Sequence, residues 1–305
     1  MAKRKKIEPF GLRGCGGLST PFLTKDGKIN VEETRRYIDW LVEHECHTLV
    51  PGSTGVGCTL DQMRILWETA IDAAKNRITI LPYVGPHSWS IEEFVNEIKI
   101  AEEAGAKALY FGPEPAIRQV MPPPTRIYPK GIGRWNEEIE KAFYEQIKAG
   151  MEATDKPVLL YQHASHDDLT PVMPVSFLVK MANEFEQFAA LKTNYFDHLL
   201  FEVEALKPFD IAIVKGFYEH EYLAALQMGC VGFISVLGAQ LPGHIAGIYN
   251  AYVAGDYEKA LNIIRDLMPI EEIYKGSEFV NPGYAVTHSP LYWGFKHYLL
   301  EASRF

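Results

Sequence analysis

The chain has 305 residues, 47% hydrophobic and 23% charged, with a net charge of -9, so it can bury a large core but has no cationic surplus for gripping nucleic-acid phosphates. No run reaches the roughly 18 to 20 apolar residues that a bilayer span needs, and no signal peptide opens the chain. Cys15, Cys46, Cys58 and Cys230 have neither zinc-site spacing nor the density of a secreted disulfide framework, so reduced thiols, a cytoplasmic location and no bound metal are expected.

Residues 1–10 hold the one basic run, KRKK at 3–6, with no apolar segment behind it, and are expected to form a flexible basic tail. Short apolar runs then recur: LRGCGGLSTPF at 12–22, TLVPGSTG at 48–55, RITILPYVG at 77–85, ALYFGPEP at 108–115, PVLLYQH at 157–163, FAALKTN at 188–194, IAIVKGF at 211–217 and CVGFISVLG at 230–238. Most are unbroken rather than alternating, the pattern of parallel strands covered on both faces. Amphipathic helices lie between them. Asn30 with Glu33, and Ser90 with Glu93, each set a capping side chain and an acid three residues apart at a helix start. Ile91, Phe94, Val95, Ile98 and Ala101 then repeat at three and four before Gly105 stops the pattern. HECH, 44–47, sits at a helix end without the two-histidine spacing of a metalloprotease helix.

Eight strand-then-helix units fit an α/β fold of the closed (β/α)8 TIM-barrel type over 11–240. The apolar stripes at 242–267 and 289–302 suggest a C-terminal helical subdomain, 241–305, or an oligomer contact. The proline- and glycine-rich stretch 113–136 is expected to be irregular: a lid, a subunit contact or a plain surface loop.

In such a barrel, chemistry gathers at the C-terminal strand ends. There GSTG offers the hydroxyls of Ser53 and Thr54 between Gly52 and Gly55, with exposed amides that suit a carboxylate; the alternative is a plain tight turn. Tyr161 ends the fifth run and Lys192 the sixth, which places a phenol beside an amine. A desolvated amine attacks a ketone to form an imine, and a phenol moves the protons that the reaction needs. Lys215 also ends a run, and spacing alone leaves it open as the nucleophile. If it points into the mouth, its charge lowers the pKa of Lys192 and helps to bind an anion. His163, His166 and His87 follow strands and are candidate substrate contacts.

STPF at 19–22, GSTG, Tyr161 after PVLL, Lys192 after FAAL and GCVGFISV at 229–236 stand in the order and at about the separations of one known family. Over roughly residues 15–300 the chain resembles the N-acetylneuraminate lyase and dihydrodipicolinate synthase family of Schiff-base barrels. The resemblance implies an imine between Lys192 and a small 2-oxo acid, with no other cofactor. It also implies Tyr161 as proton relay, Ser53 and Thr54 of the GSTG turn holding the carboxylate, Ile234 among the substrate contacts, and a homodimer or homotetramer.

The synthase branch carries a glutamate, an arginine and paired tyrosines where this chain has Val56, His166, and Glu114 with Pro115. Dihydrodipicolinate synthesis is therefore disfavoured. GSTG, and Glu219 in KGFYEHE, look more like the sugar-acid lyases, in which an acid meets substrate hydroxyls. The expected activity is class I aldolase cleavage of a 2-oxo-3-deoxy acid to pyruvate and an aldehyde. The alternatives are dehydration or deamination of a hydroxylated 2-oxo acid through the same imine, a dihydrodipicolinate synthase-like condensation, and a non-catalytic relative that binds a small carboxylate.

Overall fold

The computed structural model describes residues 4–53, 58–120, 135–162 and 172–280. Strand β1 (Gly14–Leu18) leads to α1 (Val31–Glu43), and β2 (Cys46–Val50) to α2 (Leu60–Ala74). The third run is split into β3 (Thr79–Ile80) and β4 (Tyr83–Val84), followed by α3 (Ile91–Glu103). Next come β5 (Leu109–Phe111), α4 (Glu114–Val120) and α5 (Glu137–Ala153), then β6 (Val158–Gln162) with α6 (Val175–Glu184). Strand β7 (Phe188–Thr193) precedes α7 (Leu199–Leu206), and β8 (Ala212–Lys215) precedes α8 (Tyr222–Met228). Finally β9 (Gly232–Ser235) is followed by α9 (Leu237–Gln240), α10 (Pro242–Val253) and α11 (Tyr257–Val280).

The helix starts follow from their caps. The Asn30 side chain accepts from Glu33 N at 3.1 Å, and Ser90 Oγ accepts from Glu93 N at 3.1 Å, so each satisfies a donor that the first helical turn leaves unpaired. Phe94, Ile98 and Ala101 are buried on the inner face of α3. Glu97 is buried with them because it accepts from Gly85 N and Ser88 Oγ, which ties down the loop after β4.

Where eight strands were expected, nine segments appear, because Pro82 has no N–H to give to a neighbour and divides the third run. Leu81 N still bonds to Leu49 O at 2.9 Å on one side, and Pro82 O accepts from Tyr110 N at 3.0 Å on the other. All the paired strands are parallel, in the order β3-β2-β1-β9-β8-β7-β6-β5-β4. The sheet therefore curls until its two ends are consecutive pieces of one run.

The stretch expected to be irregular begins with a helix instead, α4. Pro115 sits in the first turn of α4, where a missing N–H costs nothing, and Gln146 clamps the turn by accepting from Ala116 N at 2.7 Å and donating to Gly112 O at 2.6 Å. Helix α10 lies beyond the expected boundary at 240 and packs against β1. The stripe at 289–302 and the segment 121–134 lie outside the described residues.

Side chains alternate between two cores. In β6, Val158 and Leu160 pack outward against the helices, while Leu159 and Tyr161 face the interior of the curled sheet. In β7 the alternation is interrupted. Val158 pairs with Phe188 but Leu159 pairs with Ala190, so Ala189 is an extra residue, a β-bulge. Phe188 and Leu191 face out, Ala189 and Ala190 face in, and Lys192 follows Leu191 to the inside. Strict alternation from Phe188 would turn Lys192 outward; the bulge re-aims it.

Candidate active site

Tyr161 and Lys192 are register partners on β6 and β7. The Lys192 side chain is 0% exposed, and its Nζ lies 4.1 Å from the centroid of the Tyr161 ring. Its polar partner is Asn194 Oδ1 at 3.3 Å, and no carboxylate pairs with it among the described residues. Burial first, and then the charge of Lys215, push its pKa well below the usual lysine range. Both effects favour the neutral amine, the form that a nucleophile needs.

Lys215 is placed differently. Val214 faces the interior and Lys215 leaves β8 on the other face, where its Nζ donates to the backbone oxygens of Gly216 at 2.6 Å, Asn194 at 3.1 Å and Phe217 at 3.1 Å. It also forms an ion pair with Glu221 at 2.8 Å. Burial lowers its pKa while Glu221 opposes the change. Its amine is thus occupied by protein acceptors rather than turned into the mouth.

After Gly216 the chain makes a tight reversal through Phe217 and Tyr218, at φ 55° and 58°, left-handed conformations that cost about 1 kcal/mol or more each. The reversal brings Glu219 onto the end of β9, hydrogen-bonded to Ser235. Burial and the nearby Glu271 push the Glu219 carboxyl up to about 7. Glu271 comes from α11 and holds His220 Nδ1 at 2.6 Å.

On the other flank, the rings of Tyr83, Tyr110 and Tyr161 cluster, with Tyr110 5.3 Å and Tyr83 6.2 Å from Tyr161. Tyr83 donates to the buried Glu114 at 2.5 Å. Ile234 is buried in the same interior core. At the end of β2, Gly52 takes φ +69° and a Cβ there would stand 2.5 Å from Met63 Cε and 2.8 Å from Leu66 Cδ2, and Ser53 Oγ is buried without a hydrogen-bond partner among the described residues. Thr54, Gly55, Val56, His163 and His166 lie outside the described residues. No group of His, Cys, Asp and Glu among the described residues is arranged to hold a metal.

Residues 134–287 match the model of the Dihydrodipicolinate synthetase family. The chain belongs to that family. The 4-hydroxy-tetrahydrodipicolinate synthase of Maridesulfovibrio salexigens is 27% identical over 261 residues, 84% of this chain and 80% of that protein. The synthase of the same name from Methylobacterium radiotolerans is 28% identical over 270 residues, 85% of this chain and 80% of that protein. The crystal structure of dihydrodipicolinate synthase from Aquifex aeolicus has a TM-score of 0.73 at 18% identity, covering 96% of this chain and 98% of that one. YagE, a prophage protein of the dihydrodipicolinic acid synthase family from Escherichia coli K12 solved with pyruvate, has a TM-score of 0.72 at 19% identity, covering 95% and 97%. At these identities the structures share the fold.

Within this family member's mouth, three groups lay beyond the reach of the sequence reading. Asn194 was visible as the end of FAALKTN, but nothing in its spacing told which way its amide points. Glu271 belongs to a helix far along the chain. Gly216 is needed for space: a Cβ there would stand 2.6 Å from Lys192 Nζ and 2.5 Å from its Cε, and would also collide with Asn194 Oδ1. Gly216→Ala is therefore expected to displace the amine and to lower imine formation with pyruvate at least about tenfold, read by borohydride trapping, while circular dichroism stays native.

Behind the strand ends, Glu202 of α7 accepts from Gln162 Nε2 and from Thr193 Oγ1, the residues that follow Tyr161 and Lys192. Burial raises its carboxyl from the ordinary 4.5 to about 7. A raised carboxyl pKa means that the folded state holds the proton more tightly, so this group's contribution is full at low pH and is lost as pH rises through about 7. Glu202→Gln, which does not titrate, should gain about 2 kcal/mol relative to the parent chain between pH near 5 and pH near 8, measured by urea denaturation at both.

Proposed function

We propose that this protein is a class I, imine-forming lyase on a (β/α)8 barrel that reversibly cleaves a 2-oxo-3-deoxy acid into pyruvate and an aldehyde. The observation that carries the reading is the uncompensated amine of Lys192, fully buried against the ring of Tyr161. The neutral nitrogen attacks the keto carbon of the substrate and forms the C–N bond as the C=O π bond breaks. The oxygen takes one proton from the nitrogen by way of Tyr161 and a second from solvent, and leaves as water. A protonated imine remains, still carrying one N–H. The hydroxyl on carbon 4 gives its proton to a base at the strand ends, its O–H electrons form the C=O bond as the bond between carbons 3 and 4 breaks, and the positive nitrogen accepts the electron pair of the broken bond, which gives an aldehyde and an enamine. Protonation of the enamine carbon and hydrolysis then return pyruvate and the amine. No external cofactor enters this scheme.

Ser53 and Thr54, with the amides of Gly52 and Gly55, receive the carboxylate in this reading, and Glu219, His163 and His166 face the hydroxylated half of the substrate. With a carboxyl that titrates near 7, Glu219 supplies or removes a proton on that half. Loss of water or ammonia starts from the same imine: a proton leaves carbon 3 to give the enamine of the intact substrate, which then expels the group on carbon 4 instead of breaking the bond between carbons 3 and 4.

A second reading, condensation of pyruvate with an aldehyde that bears its own carboxylate, is favoured by the names of the relatives, which are synthases. Against it stands Glu114, a buried acid bonded to Tyr83 beside the tyrosine cluster, which repels a second carboxylate. Pyruvate release from a panel of 2-oxo-3-deoxy sugar acids, against pyruvate consumption with such aldehydes, separates the two.

Incubation with pyruvate and borohydride is expected to add one reduced pyruvate to the protein mass, and Lys192→Ala to abolish the gain. No adduct on the parent chain, or an undiminished adduct on Lys192→Ala, sinks the imine at this residue. Lys215→Met removes a neighbouring cation, so the pKa of Lys192 should rise and the pH profile of trapping should move to higher pH. An unchanged profile removes that role from Lys215.

A further inference from the structure

Asn194 is 2% exposed and stands where every part of the reacting pair meets. Its Oδ1 accepts from Lys192 Nζ at 3.3 Å, and its Nδ2 donates to the Tyr161 hydroxyl oxygen at 2.9 Å. Its backbone oxygen accepts from Lys215 Nζ at 3.1 Å, and its backbone N donates to Gln162 O at 3.4 Å, fixing the residue between β6 and β8. One amide thus bridges the amine and the phenol from opposite ends, and an amide can do so because it carries an acceptor and a donor on one rigid plane.

We propose that Asn194 is the positioning residue for imine formation: by accepting from the Lys192 amine and donating to the Tyr161 hydroxyl oxygen, it holds the nitrogen and the phenol in one fixed mutual orientation. The assignment rests on Lys192 being the imine-forming lysine.

An amine that gives one N–H to Oδ1 has its lone pair directed away from that oxygen. A phenol oxygen that accepts from Nδ2 keeps its own O–H pointed away from Asn194. The hydrogen bond from Nδ2 also stabilises the phenolate, which eases release of that proton. Both effects come from a neutral group. A carboxylate in the same place would hold Lys192 as an ammonium ion and offer nothing to the phenol, so the choice of an amide over an acid is itself part of the chemistry. The space for the bridge comes from Gly216, whose missing Cβ would fall on both Oδ1 and Nζ.

The test compares the parent chain with Asn194→Leu and Asn194→Asp in pyruvate–borohydride trapping from mildly acid to alkaline pH, with melting temperature and circular dichroism taken on each. Asn194→Leu keeps the branched shape and loses both hydrogen bonds; its trapping rate at saturating pyruvate should fall at least about tenfold, with little change in the pyruvate concentration for half-maximal rate. Asn194→Asp keeps the shape and adds a charge; its trapping profile should shift upward by about one pH unit or more. A role in packing alone would lower the melting temperature and leave the profile where it was. Parent-like rate and profile in Asn194→Leu, or an unshifted profile in Asn194→Asp, overturns the assignment. If Asn194→Leu does not fold, the Asn194→Asp profile decides by itself. Absence of any adduct on the parent chain is a separate outcome: it removes the imine reading, and the assignment falls with it.

Discussion

Two lysines from neighbouring strands are both fully buried here, and among the described residues only one of them has a carboxylate. Taking an ammonium ion out of water is costly unless a counter-charge or a set of dipoles replaces the lost solvation. Lys215 has that replacement in Glu221 and three backbone oxygens. Lys192 has a single side-chain oxygen and the face of a tyrosine ring. Burial and the charge of Lys215 both favour its neutral form, the form that imine chemistry needs. The rest of the site reads as arrangements that keep this one amine uncompensated and aimed. Glycine at 216 leaves room for it, and the acids Glu202, Glu219 and Glu271 stand near the strand ends without pairing with it.

Much of this was legible in the sequence. An apolar run that ends in lysine, beside another that ends in tyrosine, is a pattern that burial and strand spacing translate directly into an amine next to a phenol. The capped helices and the recurring unbroken apolar runs likewise carried the parallel order. Other features were hidden for definite reasons. Ala189 and Ala190 are small enough to face either core, so no pattern of polarity revealed the bulge that turns Lys192 inward. Lys192 and Lys215 both end apolar runs, and what tells them apart is three-dimensional: Glu221 and three backbone oxygens surround Lys215, while Lys192 lies beside Tyr161. Pro82 was in plain view, yet the split that it makes in the third strand depends on which neighbour needed its missing N–H.

The acids teach a similar lesson about distance along the chain. Glu219 was singled out from KGFYEHE, but its raised carboxyl depends in part on Glu271, delivered by the last described helix. Just beyond the stripe at 242–267 that suggested an added helical element stands an acid that raises the Glu219 carboxyl. Sequence patterning sees the apolar face of such a helix easily. It does not see which strand end that helix will meet.

The strand order begins and ends on two pieces joined by Leu81 and Pro82, and this has a consequence for the fidelity of the lysine's aim. A one-residue slip of a strand sends its buried side chains to the opposite face, so register is strongly specified where both faces are covered. A slip at β7 would also have to be passed from neighbour to neighbour toward two end strands that the covalent chain joins at the third run. The extra residue at Ala189 is therefore held in place from both sides, and the direction of the Lys192 side chain is a property of the register of the curled sheet as well as of the few bonds around it.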